Sequence, residues 1–263
     1  MFLMIECGET DMVKMILSGC NGRMGKVITE LVREDEEITI CAGVDVFGEG
    51  TGDYPVYNSF PACNEEADVI VDFSSPKAFD SLMDYAVSRS LPVVMCTTGL
   101  SEEQISRLDT EAGKIAVLRS ANMSLGVNLL LKLAREAAQV LSPAGFDIEI
   151  VERHHNQKKD APSGTALALA DSINEGLDKA FNYVYDRHMR TEKRDPKEIG
   201  ISAVRGGTIP GTHEVIFAGT DEVIELKHIA YSRSIFGKGA VSAAKFLAGK
   251  EPGFYSMADV IGN

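Results

Sequence analysis

Apolar and polar positions along the chain follow two regimes, an alternation of short buried runs with helical patterns first, and longer alternating strands later. Residues 13–18 form an apolar run that ends in Gly19-Cys20-Asn21-Gly22-Arg23-Met24-Gly25, and residues 26–32 then carry apolar positions at helical spacing. The pattern predicts strand, glycine-rich turn and helix. Residues 38–44 and 67–74 read as the second and third strands, and Ser75-Pro76 starts a helix through Tyr85 and Ala86. Residues 91–96 predict a short buried strand opening into Thr97-Thr98-Gly99, and residues 101–104 open a further helix. Residues 114–119 are a strand that ends in Ser120-Ala121-Asn122-Met123. Strands alternating with helices imply a doubly wound parallel sheet, whose ligands lie at the carboxyl ends of the strands.

The second regime begins with an amphipathic helix over residues 124–141, with Leu129, Leu133, Ala137 and Val140 on one face. A strand over 146–152 follows, and after a further helix comes a polar segment around Tyr185-Asp186-Arg187-His188, then a solvated loop over 193–196. Residues 199–207 begin an antiparallel part, and 213–218 with 222–230 read as a hairpin joined by Gly219-Thr220-Asp221. Residues 236–248 form a closing helix whose tail returns to the first domain. The expected fold is thus α/β, a Rossmann-type doubly wound parallel sheet plus a second α+β domain with a mostly antiparallel sheet. The expected domains are 13–123 with 236–263 for dinucleotide binding, and 124–235 for substrate binding and oligomerisation. A mostly antiparallel sheet needs its open face covered, which predicts self-association through it.

Composition narrows the class. At 263 residues, 44% hydrophobic and 25% charged, the chain is long enough for two modest domains with sizeable cores. A net charge of -13 argues against nucleic acid, whose phosphates call for a basic face. The five cysteines, Cys7, Cys20, Cys41, Cys63 and Cys96, are scattered and show no CxxC spacing, so a reducing cytoplasm is expected. The first eleven residues are too short and too acidic for a signal peptide and read as an upstream start or a loose extension, with no function assigned. No run approaches transmembrane length.

Two stretches carry candidate chemistry. The glycines of 19–25 fall at G-x-x-G-x-x-G, one place off the dinucleotide fingerprint, and can still supply a tight turn, backbone approach to a pyrophosphate and close helix packing. Asp45 ends the second strand about twenty residues past the last glycine, where a carboxylate would bind a ribose 2′-hydroxyl. The next residue is Val46 rather than an arginine, so NADH is the preferred cofactor and NADPH is possible. Thr97, Thr98 and Asn122 stand at strand ends fit to line a nicotinamide pocket. The second stretch, residues 152–165, crowds His154, His155, Lys158, Lys159 and Asp160 ahead of Pro162-Ser163-Gly164-Thr165 and an Ala-rich helical run. It offers proton-transfer groups beside a helix start able to cradle an anion, with Asp160 or Ser163 as the N-cap.

The order Glu152-x-His154-His155-x-x-Lys158-x-Asp160-Ala161-Pro162-Ser163-Gly164-Thr165-Ala166 resembles the signature of the 4-hydroxy-tetrahydrodipicolinate (dihydrodipicolinate) reductases. Gly19-x-x-Gly22-Arg23-Met24-Gly25, Asp72-Phe73-Ser74, Thr97-Thr98-Gly99, Ala121-Asn122-Met123-Ser124, Arg205-Gly206-Gly207 and Gly211-x-His213-x-Val215-x-Phe217 are similar to that family in the same order. The resemblance covers the chain from about Val13 to near the C-terminus. It implies a cytoplasmic enzyme of the diaminopimelate route to lysine, usually a homotetramer, that reduces a cyclic dicarboxylate with NADH or NADPH. It also implies His154 as proton donor/acceptor, Lys158 as proton donor, and His155, Gly164 and Thr165 as substrate contacts. Gly19, Cys20, Asn21, Gly22, Arg23, Met24, Asp45, Cys96, Thr97, Thr98, Ser120, Ala121, Asn122 and Met123 would contact the dinucleotide. Cys96 stands where many relatives carry glycine.

Three other readings are open to the sequence. One is another two-domain oxidoreductase of amino-acid metabolism, such as a semialdehyde or homoserine-type dehydrogenase; a second is a dinucleotide-sensing protein without turnover, whose mark would be loss of the His/Lys pair. A zinc site among His154, His155, His188, His213 and His228 has no HExxH or Cys/His spacing behind it, so no metal is expected.

Overall fold

A computed structural model describes residues 12–48, 50 and 52–262; the opening segment, read above as an upstream start or extension, lies outside them. The chain divides into two compact units, one running through Ser120 and resuming over Phe236–Val260, the other holding Ala121–Ile235 and the last residues from Ile261.

In the first unit, β1 (Val13–Ser18), α1 (Arg23–Arg33), β2 (Ile38–Val44), β3 (Val56–Tyr57), β4 (Val69–Asp72), α2 (Phe79–Ser88), β5 (Val93–Met95), α3 (Glu102–Glu111) and β6 (Ala116–Arg119) follow one another. The second unit takes α4 (Leu125–Leu141), β7 (Asp147–His154), α5 (Gly164–Gly176), β8 (Asn182–Tyr185), β9 (Glu198–Arg205), β10 (Gly211–Ala218) and β11 (Val223–Ala230). The chain then continues through α6 (Ser234–Leu247), β12 (Gly253–Tyr255) and a short α7 (Met257–Ile261).

The first unit's seven strands stand in the order β12-β6-β5-β4-β1-β2-β3, every neighbour parallel. Met15, Ile16, Leu17, Val69, Ile70 and Val71 are fully buried, the near-continuous apolar run expected of strands covered on both faces. A capping box opens α3, with the Ser101 hydroxyl accepting from the Gln104 N–H and the Gln104 side chain accepting from the Ser101 N–H. Lys245 of α6 pairs with Asp35 and Glu37 at 2.7 Å each and ties α6 to the α1–β2 turn.

The second unit's five strands stand in the order β11-β10-β7-β9-β8, antiparallel through β7–β10–β11 and parallel through β7–β9–β8. Residues alternate along β7, so Ile148, Ile150, Glu152 and His154 are buried on one side. Ile148, Ile150, Ile199, Ile201, Val215 and Phe217 form a core with Leu169 and Ile173 of α5 and Ala134 and Ala138 of α4.

Three local expectations change. Three of the four residues on the α4 face picked out by spacing point outward, Leu129 at 47%, Leu133 at 41% and Val140 at 70% exposed, while Ala137 packs partly against the core and Val127, Leu130, Ala134 and Ala138 are buried. Apolar residues surround most of this helix, and the small side chains win the inner face because they let α4 approach α5 closely. Residues 199–205 do not begin an antiparallel part, since β9 runs parallel to β7, and an unexpected strand, β8, leads into the polar segment at Tyr185. The helix expected from Ser75-Pro76 opens as a 3-10 turn over Pro76–Ala78 before α2.

Candidate active site

The carboxyl ends of β1, β2 and β4 carry the first cluster. Gly19 adopts φ +77°, and a Cβ there would stand 2.6 Å from the Phe73 carbonyl oxygen, so the turn requires glycine for both conformation and space. A Cβ on Gly25 would lie 2.4 Å from the Gly19 and Cys20 carbonyl oxygens, so glycine lets α1 rest on the turn itself. Gly22 caps α1 without a side-chain hydrogen bond, and the first turn holds no acidic residue, which leaves its N–H groups for an anion.

Asp45 ends β2 with its carboxylate fixed by two main-chain donors, the Asn21 N–H at 3.1 Å and the Phe47 N–H at 3.2 Å. A cleft of about 410 Å³ opens here, lined by Gly19, Gly22, Asp45, Val46, Ser74 and Ser75 among others. Glycine cradle, open helix start and fixed carboxylate fit a dinucleotide. Arg23 is exposed at the head of α1, and Cys20 is buried with its sulfur against Gly43. Cys96, Thr97 and Thr98 follow β5, and Ser120 follows β6, on the same carboxyl edge of the sheet. Thr97 is buried, with its hydroxyl lacking a hydrogen-bond partner among the described residues. Burial and then the Asp72 carboxylate push the Cys96 thiol well above its ordinary range, so it stays protonated.

The second cluster lies wholly within the second unit. His154 ends β7, 9% exposed, and its Nδ1 is 2.6 Å from Glu152 Oε2. Glu152 is fully buried and also accepts from both terminal nitrogens of Arg205 at 2.7 Å and from the Ser163 N–H at 2.9 Å. Burial alone would raise the Glu152 carboxyl, but the hydrogen bonds from Arg205, His154 and Ser163 together hold it below the usual carboxylate value. The carboxylate is therefore ionised.

Ser163 is the N-cap of α5, accepting from the Ala166 N–H at 3.2 Å, and its hydroxyl stands 2.8 Å from His213 Nε2. A Cβ on Gly164 would meet nothing within 4 Å, so α5 begins beside open space at Gly164, with no acidic residue in its first turn. The Thr165 hydroxyl accepts from the Asn122 amide at 3.1 Å. Lys158 pairs with Asp160 at 3.0 Å, and that hydrogen bond is the main cause holding the Asp160 carboxyl below its ordinary range. His155 is half-buried just past the end of β7.

The family profiles for dihydrodipicolinate reductase match nearly the whole described chain, the N-terminal one over residues 13–123 and the C-terminal one over 126–261. The chain belongs to the dihydrodipicolinate reductase family. A relative from Caldanaerobacter subterraneus subsp. tengcongensis named 4-hydroxy-tetrahydrodipicolinate reductase is 54% identical over 95% of this chain and 98% of its own length. One of the same name from Clostridium novyi is 48% identical over 95% of this chain and 98% of its own. A solved dipicolinate-bound dihydrodipicolinate reductase from Paenisporosarcina sp. TG-14 shares the fold, with a TM-score of 0.79 over 94% of this chain and 98% of that one at 23% identity. This membership makes the chain an oxidoreductase with a dinucleotide-binding first domain.

The dinucleotide contacts that the family resemblance implies divide between the two units. Those from Gly19 to Met24, with Asp45, Cys96, Thr97, Thr98 and Ser120, belong to the first, while Ala121, Asn122 and Met123 fall in the second beside α4 and α5. The second unit brings His154, Gly164 and Thr165 together with three residues given no role above: Glu152, Arg205 and His213. For Glu152 a signal was present, since positions two apart on a strand share a side. Among the described residues, no group of three or more His, Cys, Asp or Glu is arranged to hold a metal ion, and no helix is long and apolar enough to cross a membrane.

Proposed function

We propose that this chain reduces 4-hydroxy-tetrahydrodipicolinate, by way of its dehydrated form, to tetrahydrodipicolinate in the diaminopimelate route of lysine biosynthesis. The observation that carries this reading is His154, held by an ionised carboxylate in the same small unit as the open start of α5 at Gly164. A bound reduced nicotinamide supplies a hydride to an electron-poor ring carbon. The residues of the chain supply the rest: His154 gives the one proton that balances the hydride, and Lys158 relays that same proton or polarises the ring through a strong hydrogen bond. Gly164, Thr165 and His155 hold a substrate carboxylate, the helix start adding its positive end. A small dicarboxylate suits this helix start, and the dipicolinate bound to the solved relative from Paenisporosarcina is one.

The cofactor is NADH in preference to NADPH, although exposed Arg23 can still approach the phosphates or the ribose. Asp45 is the one charged side chain among the described residues that line the cleft, and Val46 after it offers a 2′-phosphate no arginine. The chain works in the cytoplasm as a homotetramer assembled through the second domain, residues 124–235. In support, the edge strand β11 leaves Val223, Ile224 and Ile229 exposed.

Turnover of the condensation product of pyruvate and aspartate semialdehyde tests the reading. His154→Gln should lower kcat by about two to four decades, the range for general acid–base groups, and Lys158→Ala should lose both turnover and affinity. A near-wild-type kcat for folded His154→Gln would remove the proton-transfer role. Absence of turnover by the wild-type chain would favour another two-domain oxidoreductase or a dinucleotide sensor.

A further inference from the structure

An arginine paired through both nitrogens fills two of the acceptor positions of a buried carboxylate, and Glu152 fills the others with the Ser163 N–H and His154 Nδ1. A buried ion pair is weak as a source of stability, because desolvation offsets much of its attraction. The other groups around the ring are His213, whose ring centroid is 5.1 Å from that of His154, and Gly211, where a Cβ would lie 3.1 Å from His154 Nε2. Hence Nδ1 faces a carboxylate while Nε2 lies over a residue without a side chain.

We propose that Glu152, clamped by Arg205 and the Ser163 N–H, is the positioning residue that keeps a proton on His154 Nδ1 and so reserves Nε2 for the proton that is transferred. The assignment rests on the proposed role of His154 and goes one step beyond it. With Nδ1–H committed to the carboxylate, neutral His154 presents a lone pair at Nε2 and the imidazolium presents an N–H there. In both states the transferable position is the same atom. Arg205 fixes the plane of the carboxylate through two parallel bonds. Arg205 is itself held by the Asp160 carbonyl oxygen, so the loop bearing Lys158 is tied to the same clamp.

Glu152→Gln tests this. An amide cannot accept from His154, Arg205 and Ser163 together, since one of its ends is a donor. The variant should lose about a hundredfold in kcat, within the range for general acid–base groups, with KM changed less than threefold. The ¹⁵N ring signals of His154, assigned by their loss in His154→Gln, should move from the Nδ1–H to the Nε2–H tautomer. In the His154→Gln background the same change should cost no further kcat, as residues acting through one another are non-additive. Glu152→Asp should recover part of the loss.

If Glu152→Gln does not fold, Arg205→Lys replaces the paired clamp by a single donor and should lower kcat about tenfold with mixed tautomers. Wild-type kcat and tautomer in whichever of these variants folds would overturn the proposal while His154→Gln remains impaired. An unimpaired His154→Gln would instead sink the proton-transfer role itself.

Discussion

Gly211 of β10 stands against His154 of β7, and a Cβ at 211 would lie 3.1 Å from His154 Nε2. A methyl group at that distance forces its neighbour to yield by a few tenths of an ångström. The neighbour is an imidazole pinned on its far side by Glu152, so the ring tilts rather than slides. Gly211→Ala should fold normally and lose about tenfold in kcat, because small misplacements of a catalytic group are costly. Steady-state kinetics with a thermal melt would check it; unchanged kcat would mean the ring has room to spare.

His213 should make stability pH-dependent. Ser163 Oγ accepts from the Ala166 N–H and stands 2.8 Å from His213 Nε2, where a neutral ring can accept the serine proton. Burial first, and the neighbouring His154 second, push His213 down from 6.5 to about 4; Glu152 opposes the shift, while His228 and Lys158 add to it. Between those values the unfolded chain binds the proton and the folded chain does not. Stability is therefore present above 6.5 and lost as pH falls toward 4, by about 3 kcal/mol in full. His213→Asn, whose amide oxygen can take the Ser163 proton, should remove that part of the loss. Denaturant titrations of both proteins at pH 7 and pH 4.5 would measure it.

Gly19→Ala should damage fold and cofactor site together. At φ +77°, with the Phe73 carbonyl 2.6 Å from the added carbon, the turn must move. Strain of this kind costs of order 1–3 kcal/mol, and the displaced main chain should weaken NADH binding at least tenfold. Fluorescence titration of the nucleotide and a melting curve would read the two effects separately.

Asp45 should govern cofactor choice. A tenfold or greater preference for NADPH in the wild-type chain would contradict the proposed NADH preference. Asp45→Ala should narrow the ratio of kcat/KM for NADH over NADPH by removing the carboxylate that discriminates against a 2′-phosphate. The substitution also removes the Asp45 acceptor of the Asn21 and Phe47 N–H groups, so its effect on NADH alone gives the value of the fixed carboxylate.

Much of this was legible in the sequence because it is local. The run 13–25 shows strand, turn and helix start within one stretch, and residues 152–165 place proton-transfer groups directly ahead of a capped helix. Glu152 shares its strand side with His154, but the clamp on it was hidden because Arg205 lies 53 residues away on a strand whose pairing to β7 no pattern announces. The inner face of α4 was hidden for a different reason. Leucines on several sides leave the helical period without a unique answer, and only the close approach of α5 selects Ala134 and Ala138. The strands β3 and β12, of two and three residues, are too short to show an alternation.

Gly25 has a consequence beyond packing. With α1 seated on the carbonyls of Gly19 and Cys20, the cradle and the helix behind it form one stiff body, already shaped before any nucleotide arrives. Such preorganisation spares the ligand the entropy of ordering a loose loop. On this account, slow dissociation of the coenzyme would have to come from contacts elsewhere along the molecule rather than from tightening of the glycine turn.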